Sequence, residues 1–363
     1  MNSTPSFTHD DYTVACICPM SVEQASLEAM LDEIHPDLPT ATDKNSYTLG
    51  RMHKHNVVVA VMPRIGNSSA ASMANQLLND FRRVRFSFLV GIGGGIPNLL
   101  RGVDIRLGDV VVSKPSGVFG GVVQFRQGKL LPEGQFERTG ALHPPPDVLS
   151  AAVARLEALH RRAGSAIPRY LQEMTQRYPR MKRGGCVYQG VENDQLFRAE
   201  YKHAKKDCDN CEDCDQAAVV QRPFREDREP VVHYGTIGSS DVVVRDGQLR
   251  DSLRDGLNLY CVEMEAAGLM DSLPCLVIRG ICDYADSHKN KRWQPYAAAT
   301  AAAYAKELLS YIPILNRQQP SSAILHMQHV GNVVNGSVHG DFVAGDKVAG
   351  DKLVGDKVWQ GWR

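Results

Sequence analysis

The segment "YTVACICPMSVEQASLEAMLDEI" (residues 12–34) joins a short apolar run, ended by proline, to a stretch whose apolar residues have helical spacing. This order predicts a buried strand, a turn and a helix for which Ser21 is a suitable N-cap. The same order recurs, with predicted strands at 56–63, 86–96, 108–113, 230–240 and 274–283 and predicted helices at 147–163, 165–178 and 293–312. Continuous apolar strands that alternate with helices are typical of an α/β fold whose mainly parallel sheet is covered on both faces.

Composition excludes several classes of protein. The chain has 363 residues, of which 43% are hydrophobic, so it can bury a large core. Lys plus Arg and Asp plus Glu both total 41, and this balance gives no net charge that would attract nucleic acid or acidic membranes. Because the first residues lack a signal-peptide pattern and no apolar run reaches about 18 residues, we expect a cytoplasmic protein with no membrane partner. Nine cysteines, an odd number scattered along the chain, indicate reduced thiols.

The composition changes near residue 315, which divides the chain into a main domain at 11–315, a linker at 316–325 and a repeat tail at 326–363. The tail contains "VHGDFVAGDKVAGDKLVGDKV" (338–358), in which a Gly-Asp pair recurs every five residues. This period matches neither a helix nor a simple strand, and it leaves three alternatives: a small β-solenoid, a self-associating cross-β tail, or a flexible low-complexity end. The regular valines favour ordered self-stacking, so we expect a homo-oligomer assembled through the tail.

Polar residues that follow the predicted strands are the first candidates for a site, because ligands of parallel α/β sheets bind outside the carboxyl ends of the strands. These candidates are Glu23, Arg64, the glycine-rich turn "GIGGG" (91–95) and Asp283. Each charged residue also has a structural explanation: Glu23 suits an exposed first helical turn, Arg64 the surface, and Asp283 a helix N-cap. The glycine-rich turn lacks the GxGxxG pattern and a GK[ST] pair, which argues against a dinucleotide site or a P-loop.

Two acidic residues lie in the apolar stretch "YCVEMEAAGLM" (260–270), which we interpret as the start of a buried helix. Burying a carboxylate costs several kcal/mol unless a partner holds it. At least one of Glu263 and Glu265 should therefore face a polar ligand or a buried partner. For Glu263 we expect a basic partner such as Arg279.

A cysteine cluster, "CDNCEDC" (208–214), has His203 nearby. Cys208, Cys211, Cys214 and His203 have the residue types of a zinc site. Structural zinc sites usually join two separated Cys-x-x-Cys pairs, however, and this run is crowded with acids. A reduced, acidic loop that borders the pocket is the favoured interpretation, so we expect no metal and no cofactor.

Seven motifs in order resemble the nucleoside phosphorylase and nucleosidase superfamily over residues 11–312. The motifs are "PMSVEQASLEAML", "RIGNSSAA", "VGIGGGIPN", "LGDVVVS", "VHYGTIGSSD", "VEMEAAGLM" and "VIRGICDYADSHKN". Their chemistry is similar to that of methylthioadenosine/S-adenosylhomocysteine nucleosidases, and the whole resembles the catalytic domain at the front of many fungal NOD-like receptor proteins. The resemblance implies a three-layer αβα sandwich with a mixed, mostly parallel sheet, and it makes 11–315 the catalytic domain.

The resemblance also implies roles for individual residues. Glu23 corresponds to the acid that orients the attacking water, and Gly93 and Gly94 to the backbone turn beside the ribose and base. Val243 and Val244 fall where an aromatic and an aliphatic residue contact adenine, so the stacking ring is absent here.

On the sugar side, Met264 packs against the ribose and Glu265 accepts hydrogen bonds from its 2′- and 3′-hydroxyls. Asp283 protonates purine N7, which requires a raised pKa, and the apolar "LVIRGICDYAD" predicts such a setting. Cys282 replaces the serine that usually precedes this aspartate.

These roles predict hydrolysis of the base–ribose bond of a purine nucleoside or nucleotide. Phosphorylases place an arginine shortly before the glycine-rich turn, whereas no cation lies between Phe86 and Gly95, and Arg64 is the nearest substitute. A phosphorylase and a catalytically silent nucleoside-sensing scaffold are the alternatives. The resemblance to receptor-associated domains implies an effector that cleaves a nucleotide such as ATP, with a matching receptor tail as a partner. Candidates for the phosphates are Arg64, Arg245 and "HKNKR" (288–292).

Overall fold

The computed structural model describes residues 7–39, 45–132, 136–205 and 210–314. The strands are β1 (Val14–Cys18), β2 (Glu33–Ile34), β3 (Tyr47–Met52), β4 (His55–Val61), β5 (Phe86–Gly95), β6 (Val110–Ser113), β7 (Val122–Gln124), β8 (Gly128–Leu130), β9 (Phe136–Arg138), β10 (Val232–Ser239), β11 (Leu259–Glu263) and β12 (Cys275–Asp283). The α-helices are α1 (Ser21–Glu28), α2 (Asn67–Asp80), α3 (Asp147–Ala163), α4 (Ile167–Arg177), α5 (Pro179–Arg183), α6 (Gly247–Leu257), α7 (Ala266–Met270) and α8 (Gln294–Leu309).

One large mixed sheet forms the centre of the described domain. Its strand order is β11-β10-β6-β12-β5-β1-β4-β3-β2, with β7 beside β10, while β8 and β9 form a separate hairpin. Parallel pairs join β4, β1, β5 and β12, so the carboxyl ends of these four strands lie at one edge. All five residues of β1 are buried, as the apolar run predicted.

The sheet is closed on one side, because β11 pairs with β5 as well as with β10. Cys261 and Val262 pair antiparallel with Gly95 and Gly94 at the end of β5, although β11 also pairs with β10 at the far side of the sheet. The strands β11, β10, β6, β12 and β5 therefore form a closed ring. This closure brings the end of β11 next to the carboxyl ends of β5 and β12.

Helices cover both faces of the sheet. The helix α8 lies across β5, β6 and β12 and is surrounded by α1, α3 and α4, whereas α7 contacts β7 and β12 and packs against α2. Close approach of α8 depends on its alanines and on Gly280 of β12, where an added Cβ would collide with the carbonyl oxygen of Ala297. The result is the three-layer α/β arrangement that the sequence predicted.

The sequence predicted half of the strands and several of the helices in the described part of the chain. The helix expected at 147–163 spans Asp147–Ala163, and the six expected strands are present with ends shifted by a few residues. The interpretation of 260–270 as a helix start is wrong in part: residues 259–263 form β11, and α7 begins only at Ala266. The predicted linker and repeat tail, 316–363, lie outside the described residues. In the described part of the chain, the helices are too short or too polar to cross a membrane.

Candidate active site

The carboxyl ends of β1, β5, β11 and β12 surround a cavity of about 190 Å³. The cavity is lined by residues of these strand ends, of several loops and of the starts of α1 and α8: Pro19, Met20, Glu23, Ile65, Ile92, Gly93, Gly94, Val242, Val243, Val244, Val262, Glu263, Met264, Glu265, Arg279, Cys282, Asp283, Lys289 and Gln294. The structure therefore brings all of the sequence-predicted catalytic and nucleoside-binding residues to one place.

Glu23 lies in the first turn of α1 and is buried, with 2% of its surface exposed. The alternative of an exposed first-turn acid is therefore wrong. Its two carboxyl oxygens accept hydrogen bonds from the backbone N–H groups of Met20, at 2.6 Å, and Ile92, at 2.7 Å. Burial raises the pKa of Glu23 to about 8, although the charge of Arg279 and these N–H groups favour the ionised form.

The two glutamates of the 260–270 segment share one buried cation. The Nη2 of Arg279 donates to Glu265 Oε2 at 3.0 Å and also to Glu263 Oε2. Glu263 additionally accepts hydrogen bonds from the backbone N–H groups of Glu265 and Ala266, so it fixes the turn between β11 and α7. Glu263 thus has the basic partner expected from the sequence.

Arg279 is a buried cation in the wall of the cavity, and its side chain is 1% exposed. Burial alone would lower the pKa of Arg279, but Glu263, Glu265 and Glu23 raise it above its usual value. Burial also raises the pKa of Glu265 to about 7; Arg279 opposes this shift, whereas the charge of Glu263 adds to it. The Arg279 guanidinium therefore neutralises a cluster of carboxylates that would otherwise repel one another.

Three glycines of β5 make room for these side chains. A Cβ at Gly91 would lie 2.5 Å from Glu23 Oε1 and would collide with the Arg279 guanidinium. A Cβ at Gly94 would lie 2.9 Å from Asp283 Oδ1, and one at Gly93 would lie 3.2 Å from the carbonyl oxygen of Val262. The glycine-rich run therefore allows close packing of charged groups beside the sheet, in addition to exposing backbone to a ligand.

Asp283 ends β12 and is buried, but its setting is not the apolar one that the sequence predicted. The ammonium of Lys289 lies 2.8 Å from Asp283 Oδ2, and Oδ1 accepts a hydrogen bond from the backbone N–H of Ala285 at 2.9 Å. Ala285 has a φ of 52°, a left-handed conformation that is strained for a residue other than glycine. The apolar run of β12 lies behind Asp283, and the turn after the strand supplies the cation.

Cys282 still contacts the aspartate that follows it, with its Sγ 3.1 Å from Asp283 Oδ2. A thiol is a weak donor, so Lys289 is the stronger partner of this carboxylate. Two opposing effects act on the pKa of Lys289. Burial lowers it, but the negative charge of Asp283 outweighs burial, so the pKa of Lys289 is raised.

The residues predicted to contact the base lie on a loop, whereas Met264, predicted to contact the ribose, lies in a turn at the end of a strand. Val243 is 44% exposed on the loop between β10 and α6, whereas Val244 is 5% exposed. Met264 lies in the turn between β11 and α7 and lines the cavity beside Glu265. No aromatic side chain lines the cavity within the described residues, which agrees with the missing stacking ring.

Of the predicted phosphate-binding residues, all of which the structure describes, Lys289 alone lines the cavity. Arg64 and Arg245 are exposed and are not part of the cavity lining, although their neighbours Ile65 and Val244 are. Within 288–292, His288 stacks on Phe197 with ring centroids 3.9 Å apart. Of the basic residues in that run, Lys289 is the one that enters the cavity, at Asp283.

Sequence reasoning missed a residue that holds the loops around the cavity together. Asn67, at the start of α2, donates its backbone N–H to Asp241 Oδ1 at 2.9 Å, and its side-chain oxygen accepts from Gly268 N at 3.0 Å. The Ser239 hydroxyl accepts from Ala267 N at 3.0 Å. Serine and asparagine residues near the ends of the predicted strands could have indicated this role, since such residues commonly stabilise turns through side-chain hydrogen bonds.

A second cavity, of about 320 Å³, lies beside the first and shares Cys282 and Asp283 with it. Its wall includes Cys211 of the cysteine-rich loop and His288. The predicted zinc candidates are only partly described: Cys208 lies outside the described residues, whereas His203, Cys211 and Cys214 lie close together.

Solved structures have the same fold. A variant of Helicobacter pylori 5′-methylthioadenosine/S-adenosylhomocysteine nucleosidase, with 5′-methylthioadenosine in its active site, matches with a TM-score of 0.53 at 14% sequence identity. The match covers 82% of this chain and 98% of that chain. At this identity the likeness establishes the fold, which is that of an α/β nucleosidase.

Sequence comparison gives nearer relatives. A nucleotide-binding leucine-rich repeat (NLR)-like protein of Hyaloscypha variabilis is 42% identical over 317 residues, which are 85% of this chain and 30% of that protein. The ATP nucleosidase Cap17 of Escherichia coli is 24% identical over 260 residues, which are 70% of this chain and 41% of that protein. The chain thus spans less than half the length of these relatives. No protein-family model matches it. Fold and relatives together show that the chain belongs to the nucleoside phosphorylase/nucleosidase superfamily.

Proposed function

We propose that the chain is an N-glycosidase that hydrolyses the base–ribose bond of purine nucleosides or nucleotides. The observation that carries this proposal is the convergence of Glu23, Glu265 and Asp283 on one cavity. Cleavage of this bond develops positive charge on the sugar and negative charge on the departing base. The site offers carboxylates for the first charge and the Asp283–Lys289 pair for the second.

Glu23 is the base that activates water. Its pKa of about 8 lies close to neutral pH, where a general base combines a useful ionised fraction with sufficient basicity. Both carboxyl oxygens are held by backbone N–H groups, so the side chain is oriented before substrate binds. Each oxygen keeps a second lone pair with which it can accept a hydrogen bond from water.

Glu265 is the acceptor for the ribose hydroxyls. It lies beside Met264, which provides an apolar surface for the sugar ring, and its Oε2 is fixed by Arg279 at 3.0 Å. At the other end of the cavity, the base would meet Asp283. The Lys289 ammonium can donate a proton along its hydrogen bond to Asp283, and Asp283 can pass a proton to the departing purine, so that the base leaves neutral and the pair is left as a carboxylate and a neutral amine.

Water is favoured over phosphate as the nucleophile. Phosphate binding needs a cation whose charge is available, but the guanidinium of Arg279 is already bound by two glutamates, and Arg64 lies outside the cavity lining. A phosphate dianion would be repelled by the carboxylates of the site whenever Glu23 or Glu265 is ionised. Hydrolysis therefore agrees better with the charges than phosphorolysis does.

The substrate that we propose is an adenine nucleotide such as ATP. Support comes from the sequence similarity to an ATP nucleosidase and to an NLR-like protein. In this proposal the domain is an immune effector whose activity rises when the 326–363 tail assembles copies of the chain. Truncation after Gln319 should then abolish large assemblies and reduce base release; unchanged particle size in light scattering would contradict the assembly role.

Base release measured by chromatography tests the activity. The purified chain is incubated with adenosine, AMP, ATP, inosine and GTP, with and without inorganic phosphate. We expect free adenine together with the intact sugar or sugar phosphate, at a rate independent of phosphate. Formation of ribose 1-phosphate only when phosphate is present would establish phosphorolysis instead, and absence of base release from assembled protein would favour the silent scaffold.

Matched variants locate the chemistry. Glu265→Gln and Asp283→Asn should each reduce base release by at least about 100-fold, because each removes a charge used in the transition state. Glu173→Gln, on an exposed part of α4, serves as the control and should leave the rate unchanged. Circular dichroism of each variant verifies that the fold is retained.

A further inference from the structure

The described residues 196–205 and 210–219 form little regular structure, and several residues of the second stretch line the second cavity. This two-part segment is pinned by an isolated bridge between Phe197 and Val219 and by a small core of Phe197, Cys214 and Ala218, with Cys211 packed against it. Cys214 is 5% exposed. A core this small gives little stability by burial alone, and segments of this kind are commonly held by a metal ion.

Three side chains of this segment have the chemistry of a metal site. A ring nitrogen of His203 and the Sγ atoms of Cys211 and Cys214 all lie within 4.8 Å of one another. We propose that His203, Cys211 and Cys214 supply three of the four ligands of a structural Zn²⁺ ion that holds this segment in place. The proposal is independent of whether the domain is an active nucleosidase.

The distances require only a small adjustment. Zinc–sulfur bonds of about 2.3 Å and zinc–nitrogen bonds of about 2.0 Å in a tetrahedron separate the ligand atoms by roughly 3.5–3.8 Å. Because the observed separations are at most 4.8 Å, each pair of ligand atoms needs to approach by about 1.3 Å or less. The Cys-x-x-Cys spacing is the one that lets two thiolates of a short turn contact the same ion, and Cys214 N donates to Cys211 O at 3.1 Å within that turn.

The surroundings of His203 also suit a metal ligand. Its Nδ1 lies 2.6 Å from the carbonyl oxygen of Lys205, and its Nε2 lies 2.8 Å from that of Asn210. A metal-bound histidine usually donates its other ring N–H to such an oxygen. Zinc binding therefore exchanges one of these two contacts for a zinc–nitrogen bond and keeps the other.

The site is connected to the cavity that contains Asp283. The backbone N–H of His203 donates to Ser287 Oγ at 2.9 Å, in the turn that follows Asp283. The His203 ring also lies 5.3 Å from that of His288, which stacks on Phe197. Since Cys211 and His288 both line the second cavity, the ion would fix the wall opposite the end of β12.

Metal content of the full chain, purified without added chelator, tests this proposal. We expect about one zinc per chain by mass spectrometry of the metal. After zinc removal, added Co²⁺ should give the intense thiolate-to-cobalt absorption of a tetrahedral site. His203→Ala and the double variant Cys211→Ser/Cys214→Ser should each lose most of the bound zinc, whereas Cys186→Ser, which changes a cysteine outside the segment, should retain it.

Several results would overturn the proposal. One is a chain that stays metal-free in excess Zn²⁺ and gives no thiolate absorption with Co²⁺. Another is a zinc content that is unchanged in the double variant. A mass lower by two hydrogens, with both cysteines protected from alkylation until reduction, would show a Cys211–Cys214 disulfide instead. His203 is only partly buried, so His203→Ala remains informative if the cysteine variants fold poorly.

Discussion

Replacement of Arg279 by methionine is the sharpest test of how the site is held together. The guanidinium is 1% exposed and binds Glu263 and Glu265, with Glu23 also within its field. Removal of one partner of a buried ion pair typically costs about 3–5 kcal/mol, because it leaves an uncompensated buried charge. Here two paired carboxylates lose the same cation, so we expect a loss at the upper end of that range at pH 8.

The loss should depend on pH in a direction that the pKa values determine. Glu23 and Glu265 have pKa values raised to about 8 and about 7. The folded protein therefore binds more protons than the unfolded chain above the unfolded-state pKa near 4.5. As pH rises from about 4.5 to about 8, the free energy of unfolding therefore falls, because Glu23 and Glu265 lose protons that the folded protein binds more tightly. Arg279→Met raises both pKa values further, so its cost should be smaller at pH 5.5 than at pH 8.

Urea unfolding at the two pH values measures this cost. Arg161→Met is the control: Arg161 pairs with Glu157 at 2.9 Å but is 79% exposed, and such surface pairs contribute about 0–1 kcal/mol. In the double variant Arg279→Met/Glu263→Gln we expect less destabilisation than in Arg279→Met alone, because one uncompensated charge is gone. A loss below about 1 kcal/mol, equal at both pH values, would refute the account of Arg279 as the cation that neutralises the site.

Three further predictions concern single residues. Gly91→Ala should destabilise the fold by about 1–3 kcal/mol because its Cβ would overlap Glu23 and the Arg279 guanidinium. Gly256→Ala, where a Cβ meets open space in α6, should stabilise it by about 0.5–1 kcal/mol. The denaturant midpoints of the two variants should therefore shift in opposite directions. The rate of base release should rise with pH through an apparent pKa near 8, since Glu23 acts in its ionised form; a flat profile between pH 6 and 9 would remove Glu23 as the base. Lys289→Met should lower kcat by about 100-fold with a smaller change in KM, because the cation beside Asp283 acts on the departing base; an unchanged kcat would leave the lysine a purely structural role.

Sequence reasoning predicted many of the elements and the Glu263–Arg279 pair, but not the strand pairing that closes the sheet. Buried strands and the helix at Asp147–Ala163 follow from continuous apolar runs and helical spacing, which act over short distances along the chain. The closure of β11 onto β5 is a pairing of residues far apart in sequence, and no local pattern encodes it. For the same reason, the resemblance indicated Glu265 as a site residue, but it did not reveal that Arg279 is shared by two glutamates.

The end of β12 shows a further limit. The apolar run before Asp283 predicted an apolar setting, and that run is indeed buried. The cation that changes the setting comes from the turn after the strand, where the left-handed conformation of Ala285 redirects the chain and Lys289 returns to the carboxylate. A positive φ at alanine is uncommon, so no local sequence pattern predicts this turn.

The loop at Val242–Val244 differs from the rest of the cavity wall in one way that matters for evolution. Glu23, Arg279 and Asp283 are fixed by buried strands and by one another, so substitutions there carry a large cost in folding. Val242 and Val243 are 43% and 44% exposed on a connection between β10 and α6, where exchanges cost little. In the nucleosidase that we propose, selectivity for the base can therefore diversify through this short loop while Glu23, Arg279 and Asp283 stay unchanged, and the domain would suit natural or engineered retargeting to new nucleosides.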